Sequence, residues 1–316
     1  MDIVDCIIKS DNFANIKQEV QRGVIAKALL LMSKDESYAL SFAKVLASLI
    51  LNNGNEERNE NFERVLLESH PDVKIYPQKD KLLVADSEEI VNESFMLPVQ
   101  SDKKIFIIKN FDNSMESAQN KLLKVLEEPP KNVYIILTCS NINLVLPTIR
   151  SRCNKYELAK VSDKIIEELF ANHDNYNIIK CLCDGYIGKA ENLANNKNLN
   201  FLFESAISVI TGLKSSKQVL TYAKNLTDNK EYFNLFIEVI SLALEDLIAI
   251  KNEKSVRLAF IKERLENVSN DYSIKAICEI QSLLNNAVKE QSYNTNLTLI
   301  IENLLLNILE VKYICK

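Results

Sequence analysis

A phosphate-binding loop needs a particular order of residues. A glycine and four further residues precede glycine, lysine and a hydroxyl residue, all between a buried strand and a helix. The chain has one place with that frame. Ala28–Met32 is an apolar run that predicts a buried strand, and Phe42, Ala43, Val45, Leu46 and Leu49 follow on a helical period. Laid over the interval without gaps, Ser33 and Tyr38 take the two glycine positions, Ala39 the lysine and Leu40 the hydroxyl. Side chains at the glycine positions are expected to block close backbone approach to a phosphate. Without the lysine there is no charge for the outer phosphates, and without the hydroxyl no protein ligand there for Mg²⁺. The second part of such a site fails too. Ile105–Ile108 predicts a buried strand, and an ATP-hydrolysing protein would follow it with an aspartate for Mg²⁺ and a glutamate for water. Lys109 and Asn110 stand there instead. Asp112, two residues on, is expected to end the turn before the next helix.

Other reactive residue types give weaker patterns. His70 precedes Pro71, and His173 is the only other histidine; a lone histidine there reads as a structural hydrogen-bonding group. The seven cysteines, Cys6, Cys139, Cys153, Cys181, Cys183, Cys278 and Cys315, are odd in number and scattered. Cys181-Leu182-Cys183 is too close-set for half of a zinc site. Buried reduced thiols are expected, with neither disulfide nor metal. Arg152, with Ser151 before it and Cys153 after, follows an apolar segment, Leu144–Ile149. A cation placed there either forms a surface salt bridge or points at a partner.

The elements that must position these groups can be read from periodicity. Met115, Ala118, Leu122, Leu123, Val125 and Leu126 share a broad helical face, with Ser114 as the expected cap and Pro129-Pro130 as the stop. Val133–Thr138 is a further buried strand. Strand, helix and strand within about thirty-five residues make a βαβ unit, hence a parallel sheet with a right-handed crossover. A helix at 15–22 stopped by Gly23, an extended 70–76 and a helix at 87–95 capped by Ser87 complete the first half. From Lys160 onward the pattern is helical, with segments at 163–170, 176–183, 201–213, 216–226, 232–251, 257–268, 274–288 and 297–311, the last capped from 294–296. No heptad seam is sustained, so a globular bundle is expected.

The wording of three blocks goes beyond this pattern. Asn120–Lys124 with Leu126–Pro130, then Leu146–Cys153, and upstream His70-Pro71-Asp72, resemble the clamp-loader branch of the AAA+ proteins, its delta-prime-type subunits in particular. The likeness is dense over roughly residues 24–155. It implies an α/β AAA+ domain with a P-loop-type parallel sheet at 1–158, a small helical lid at 159–200, and an all-α collar for oligomerisation at 201–316. It implies that Arg152 of the Ser151-Arg152-Cys153 block is an arginine finger reaching a neighbour's ATP site. Thr138 falls at the sensor 1 position, where ending a strand is the expected role; Lys189 is a weak substitute for a sensor 2 arginine and is read as structural. The implied partners are ATPase (gamma/tau) and delta subunits, the β sliding clamp, and primer-template DNA through the complex. No cofactor is implied. Many such subunits carry a four-cysteine zinc module, but 52–69 contains no cysteine. The expected function is non-catalytic assembly and activation of a DNA polymerase III clamp loader. The alternatives are a gamma/tau-like ATPase and a pure interaction adaptor.

Composition agrees with a partner-dependent role. The chain has 316 residues, 47% of them apolar, and a net charge of −5. That length suits about two or three domains. An acidic balance argues against binding nucleic acid alone through a basic face. Five glycines are few for a nucleotide-binding α/β protein. No secretory leader is apparent after Met1 and no segment is long and apolar enough to span a membrane, so the cytoplasm is the expected compartment.

Overall fold

The computed structural model describes residues 2–55, 57–79, 81–213, 215, 218–219, 230–293 and 296–314. They form two compact units. The first comprises 1–171 and 185–191, the second 172–184 and 192–316.

The first unit is built on five strands: β1 (Ala28–Met32), β2 (Val73–Tyr76), β3 (Lys104–Ile108), β4 (Val133–Cys139) and β5 (Asn154–Glu157). Their order is β2-β3-β4-β1-β5, and every pair is parallel. Strands covered on both faces need apolar residues on both, which is why they read as continuous runs. Alternate side chains enter two separate cores. Leu29, Leu31, Ile105, Ile107 and Ile136 join a core under α1 (Ile3–Ile8), α2 (Asp11–Gln21), α3 (Glu36–Leu51) and α4 (Glu60–Leu66). Leu30, Phe106, Ile108, Ile135 and Leu137 join the core on the other face, with α5 (Val84–Ser94), α6 (Glu116–Glu127) and α7 (Pro147–Arg150). α2 ends at Gln21, two residues before Gly23, whose φ of 70° is a conformation that glycine adopts without strain. The unit continues through α8 (Asp163–Phe170) to the first residues of α10 (Ile187–Asn195).

The second unit contains α9 (Tyr176–Cys183), α11 (Leu199–Gly212), α12 (Lys230–Lys251), α13 (Lys262–Ser269), α14 (Ile274–Ser292) and α15 (Leu297–Ile314). Its core includes Phe203, Phe233, Phe236, Ile301 and Leu305, all fully buried. Tyr272 is buried among them and donates its hydroxyl to the Ile210 carbonyl at 2.7 Å. Among the described residues no helix is long and apolar enough to cross a membrane. All of the predicted helix at 216–226 except 218–219, the cap from 294–295 and Cys315 lie outside the described residues.

Several expected boundaries shift, and α2, expected from residue 15, begins at Asp11. Ser87 does not cap α5: the helix starts at Val84, where the Asp86 carboxylate accepts the Leu83 N–H, and Ser87 is buried inside. Ser114 does not cap α6, whose N-cap is Met115. The helix expected from Arg257 starts at Lys262, because the Asp246 carboxylate takes the N–H groups of Arg257 and Leu258 into a loop.

Candidate functional site

The place where a phosphate would sit is filled from within. Only Ser33, Lys34 and Asp35 separate β1 from α3. Asp35 is 6% exposed and caps α3, its Oδ1 accepting the Tyr38 N–H at 3.1 Å. Its Oδ2 accepts the Gly188 N–H at 2.7 Å and the Lys189 N–H at 3.4 Å, both in the first turn of α10. The first N–H groups of a helix lack partners in their own helix and favour an anion. Here two such ends share one carboxylate. Gly188 is required by this approach, since a Cβ on it would meet Asp35 Oδ1 at 2.5 Å and Tyr38 N at 2.8 Å.

This changes the reason the site is degenerate. Tyr38 does not obstruct the loop. It lies in the first turn of α3, turned into the core edge-on to Phe42 at 6.2 Å, and Ala39 is buried beside it. Asp35, whose part the aligned glycine pattern did not reveal, instead takes N–H groups at both helix starts. Its signal was the sequence Ser-Lys-Asp-Glu at a helix start, a good N-cap.

Asn110, at the second degenerate position, is also held by internal bonds. Asn110 has a left-handed backbone, φ 49°. Its side-chain amide donates to Glu36 Oε2 at 2.6 Å, and its N–H goes to Thr138 Oγ1 at 3.1 Å. Thr138 lies within β4, 1% exposed, with its hydroxyl serving as that acceptor. Asp112 does more than end a turn. Its Oδ2 takes the Ser140 N–H, the Ser140 hydroxyl and the Asn141 N–H, tying the loops after β3 and β4 together. Among the described residues, Asp112 Oδ1 and Ser114 Oγ are buried without a hydrogen-bond partner.

Ser151, Arg152 and Cys153 form the turn between α7 and β5. Ile149 and Val145 are fully buried and fix the turn from below. The chain entering α7 is stapled by Gln119 of α6, 1% exposed. Gln119 accepts the Leu146 N–H at 3.0 Å and donates to the Ser114 and Leu144 carbonyls. Arg152 has 31% of its side chain exposed. It donates to the Thr148 carbonyl at 2.8 Å and pairs with Glu127 at 3.2 Å. Ser151 is exposed, its hydroxyl on the same carbonyl at 3.0 Å. Cys153 is buried, and burial pushes its thiol up to about 12, so it packs rather than reacts. The backbone from Arg150 to Arg152 is a helical turn, not extended, so the two arginines do not alternate as on a strand.

The remaining candidates are structural in geometry. His70 is buried, and its Nδ1 accepts the Asp72 N–H at 3.2 Å. Asp72 in turn holds the N–H groups of Val99, Gln100 and Ser101, a role the sequence pattern did not disclose. The acidic face of α5 is engaged by its own fold: Glu88 pairs with Lys121, Glu89 accepts the Tyr76 hydroxyl, and Glu93 pairs with Lys74 and Lys104. Cys6, Cys139 and Cys183 are buried free thiols, Cys181 is half-buried, and Cys278 is exposed, against the expectation of burial.

Residues 8–162 match the family model described as DNA polymerase III, delta subunit. The delta' subunit of DNA polymerase III from Bacillus subtilis is 30% identical over 161 residues, 49% of each chain. The delta' subunit from Buchnera aphidicola subsp. Baizongia pistaciae is 26% identical over 206 residues, 61% of each. The chain thus spans about half the length of the Bacillus relative. The crystal structure of a DNA polymerase III gamma subunit-related protein from Thermotoga maritima superposes with a TM-score of 0.51 at 18% identity, over 96% of this chain and 100% of that one. At that identity the likeness is one of fold.

Proposed function

We propose that the chain, whose residues 8–162 match the family model described as DNA polymerase III, delta subunit, is a non-hydrolysing, delta-prime-type clamp-loader subunit that lends Arg152 to a neighbouring subunit's ATP site. The observation that carries this reading is the Arg152 turn. A guanidinium is held at the edge of a buried, doubly anchored segment, partly open to solvent, with an exposed glutamate as its present partner. A phosphate of higher charge can replace that glutamate with stronger charge-assisted bonds. The filled seat around Asp35 supports the other half of the reading, that this subunit serves a neighbour's nucleotide and holds none itself, and weighs against a gamma/tau-like ATPase.

In this role the implied partners are gamma/tau and delta subunits and the β sliding clamp, with primer-template DNA reached through the complex, in the cytoplasm. The division into an AAA+ domain (1–158), lid (159–200) and collar (201–316) belongs to the same proposal.

One feature favours a second reading. If the Glu127 pair is all that Arg152 does, the chain is a plain adaptor. Steady-state ATPase of the reconstituted loader separates the two. A finger contributes about 10³–10⁵ in rate at its own site. Arg152→Ala is therefore expected to silence one site of several and lower total turnover partially, with assembly unchanged by gel filtration. Arg150→Ala should be milder. Wild-type turnover in the Arg152→Ala loader leaves only the adaptor.

A further inference from the structure

Two acceptors of different kinds hold Arg152. Its Nη1 donates to the Thr148 carbonyl at 2.8 Å, four residues back along the same turn. Its Nη2 lies 3.2 Å from Oε2 of Glu127, the last residue of α6. The first contact is to backbone and moves only with the turn. The second joins two side chains, 31% and 58% exposed, so the fold does not bury the pair. Nor does α6 gain from the acid by itself. A carboxylate in the last turn of a helix faces the negative end of the helix dipole. The cation across from it is what makes that position favourable.

An exposed ion pair is weak, because water screens it. A single carboxylate on such a pair is displaced by a group with more charge and several oxygens, which a phosphate chain supplies. The backbone contact is kept in the exchange, so the side chain stays aimed. From this division we propose that Glu127 is a displaceable counter-ion that gates Arg152. It holds the guanidinium along the end of α6 and yields it to a ligand bearing a di- or triphosphate, while the Thr148 carbonyl keeps its hold on Nη1. Removing Glu127 and removing Arg152 should therefore act with opposite signs. That the phosphate chain belongs to a neighbouring subunit's ATP rests on the clamp-loader reading above; the exchange at Arg152 does not.

The test uses the full chain with inorganic pyrophosphate as the probe. Binding is read by NMR at the Arg152 side-chain Nε–H after ¹⁵N-arginine labelling, with Arg152→Ala assigning the resonance. Glu127→Gln keeps the shape and removes the charge. Exposed pairs change an equilibrium by about 1.4–5-fold, and the Kd at Arg152 should fall by that factor. Glu128→Gln removes an equal charge one residue on, from an exposed glutamate that is not the partner in this pair, and should lower it less. Equal effects of the two variants would make Glu127 one surface charge among others and overturn the gate. An unchanged Kd in Glu127→Gln would overturn it too, and a raised one would make Glu127 a residue that aims Arg152. In the reconstituted loader, Glu127→Gln should raise ATP turnover, and the rise should vanish in the Arg152→Ala background. A fall with Arg152→Ala and no rise with Glu127→Gln would keep the finger and overturn the gate. Tighter pyrophosphate binding in the free variant, with loader turnover unmoved by either substitution, would keep the counter-ion and remove the finger.

Discussion

Asp72 illustrates how one side chain can fix a loop that apolar contacts do not hold. The loop after α5 leaves Phe95, Leu97 and Val99 at least 70% exposed, yet its backbone is fastened by three N–H groups on one carboxylate. Burial alone would raise that carboxyl group's pKa; the bonds from Val99, Ser101 and Gln100 prevail and hold it below its ordinary value. Glu93 follows the same pattern, with burial opposed by Lys104 and Lys74. His70 is lowered because burial outweighs the pull of the Asp72 charge. All three shifts have one sign for stability. A group with a depressed folded pKa contributes stability above its unfolded pKa and loses it as pH falls through the folded one. The expected result is a fall on acidification in two stages, the first beginning near 6.5 from His70, the second near 4 from the carboxylates. His70→Asn can place Oδ1 where Nδ1 now accepts the Asp72 N–H, and Oδ1 does not take up a proton. The variant should flatten the first stage and keep the second. Urea midpoints from about pH 7.5 to 3.5 check this, and an unchanged slope between 7 and 5.5 would remove His70 from the account.

At the scale of elements, three strands were legible, while β5 and several helix starts were not. β1, β3 and β4 are buried on both faces, so their apolar runs are continuous and their limits appear in composition alone. The α8 and α9 limits also matched, each being a short amphipathic run between polar breaks. Helix starts depend on which acceptor reaches the first turn, and that acceptor can lie far away in sequence. Asp246 binds the Arg257 N–H from eleven residues upstream and so delays α13, and Asp35 serves α10 across half the chain. Ser87 and Ser114 had the right residue type for caps, but Asp86 and the turn before Met115 set the starts. The same long reach explains why Arg152 could be nominated from sequence while Gln119, which fixes the segment leading to it, could not. Gln119→Leu keeps the volume and removes the acceptor of a part-buried Leu146 N–H. The expected cost is about 1–3 kcal/mol, measured by urea unfolding, with faster exchange of the Leu146 amide. A neutral effect would mean that Ile149 and Val145 alone seat the α7 turn.

For the whole molecule, the proposed lack of nucleotide binding has a thermodynamic consequence. Any ligand that binds only the folded state raises stability in proportion to the logarithm of its concentration over Kd. At 100 times Kd the gain is about 2.7 kcal/mol, and for domains of this size that moves Tm by about 5–10 °C. An ATPase with a Kd of ~10 µM would show such a shift at about 1 mM Mg-ATP. Here Asp35 holds N–H groups at the starts of α3 and α10, and the Asn110 side chain is bonded to Glu36. Isolated chain with 1 mM Mg-ATP is therefore expected to melt where it melts without it, and equilibrium dialysis should find no tight binding. On the proposed reading, a reconstituted loader should bind nucleotide through its other subunits, with stoichiometry unchanged when this chain carries Asp35→Asn. A saturable rise of several degrees in the isolated chain, at micromolar Mg-ATP, would mean that Asp35 yields its place to a phosphate. The chain would then join the nucleotide-binding members of its fold, despite having lost the glycines, the lysine and the Mg²⁺ ligands.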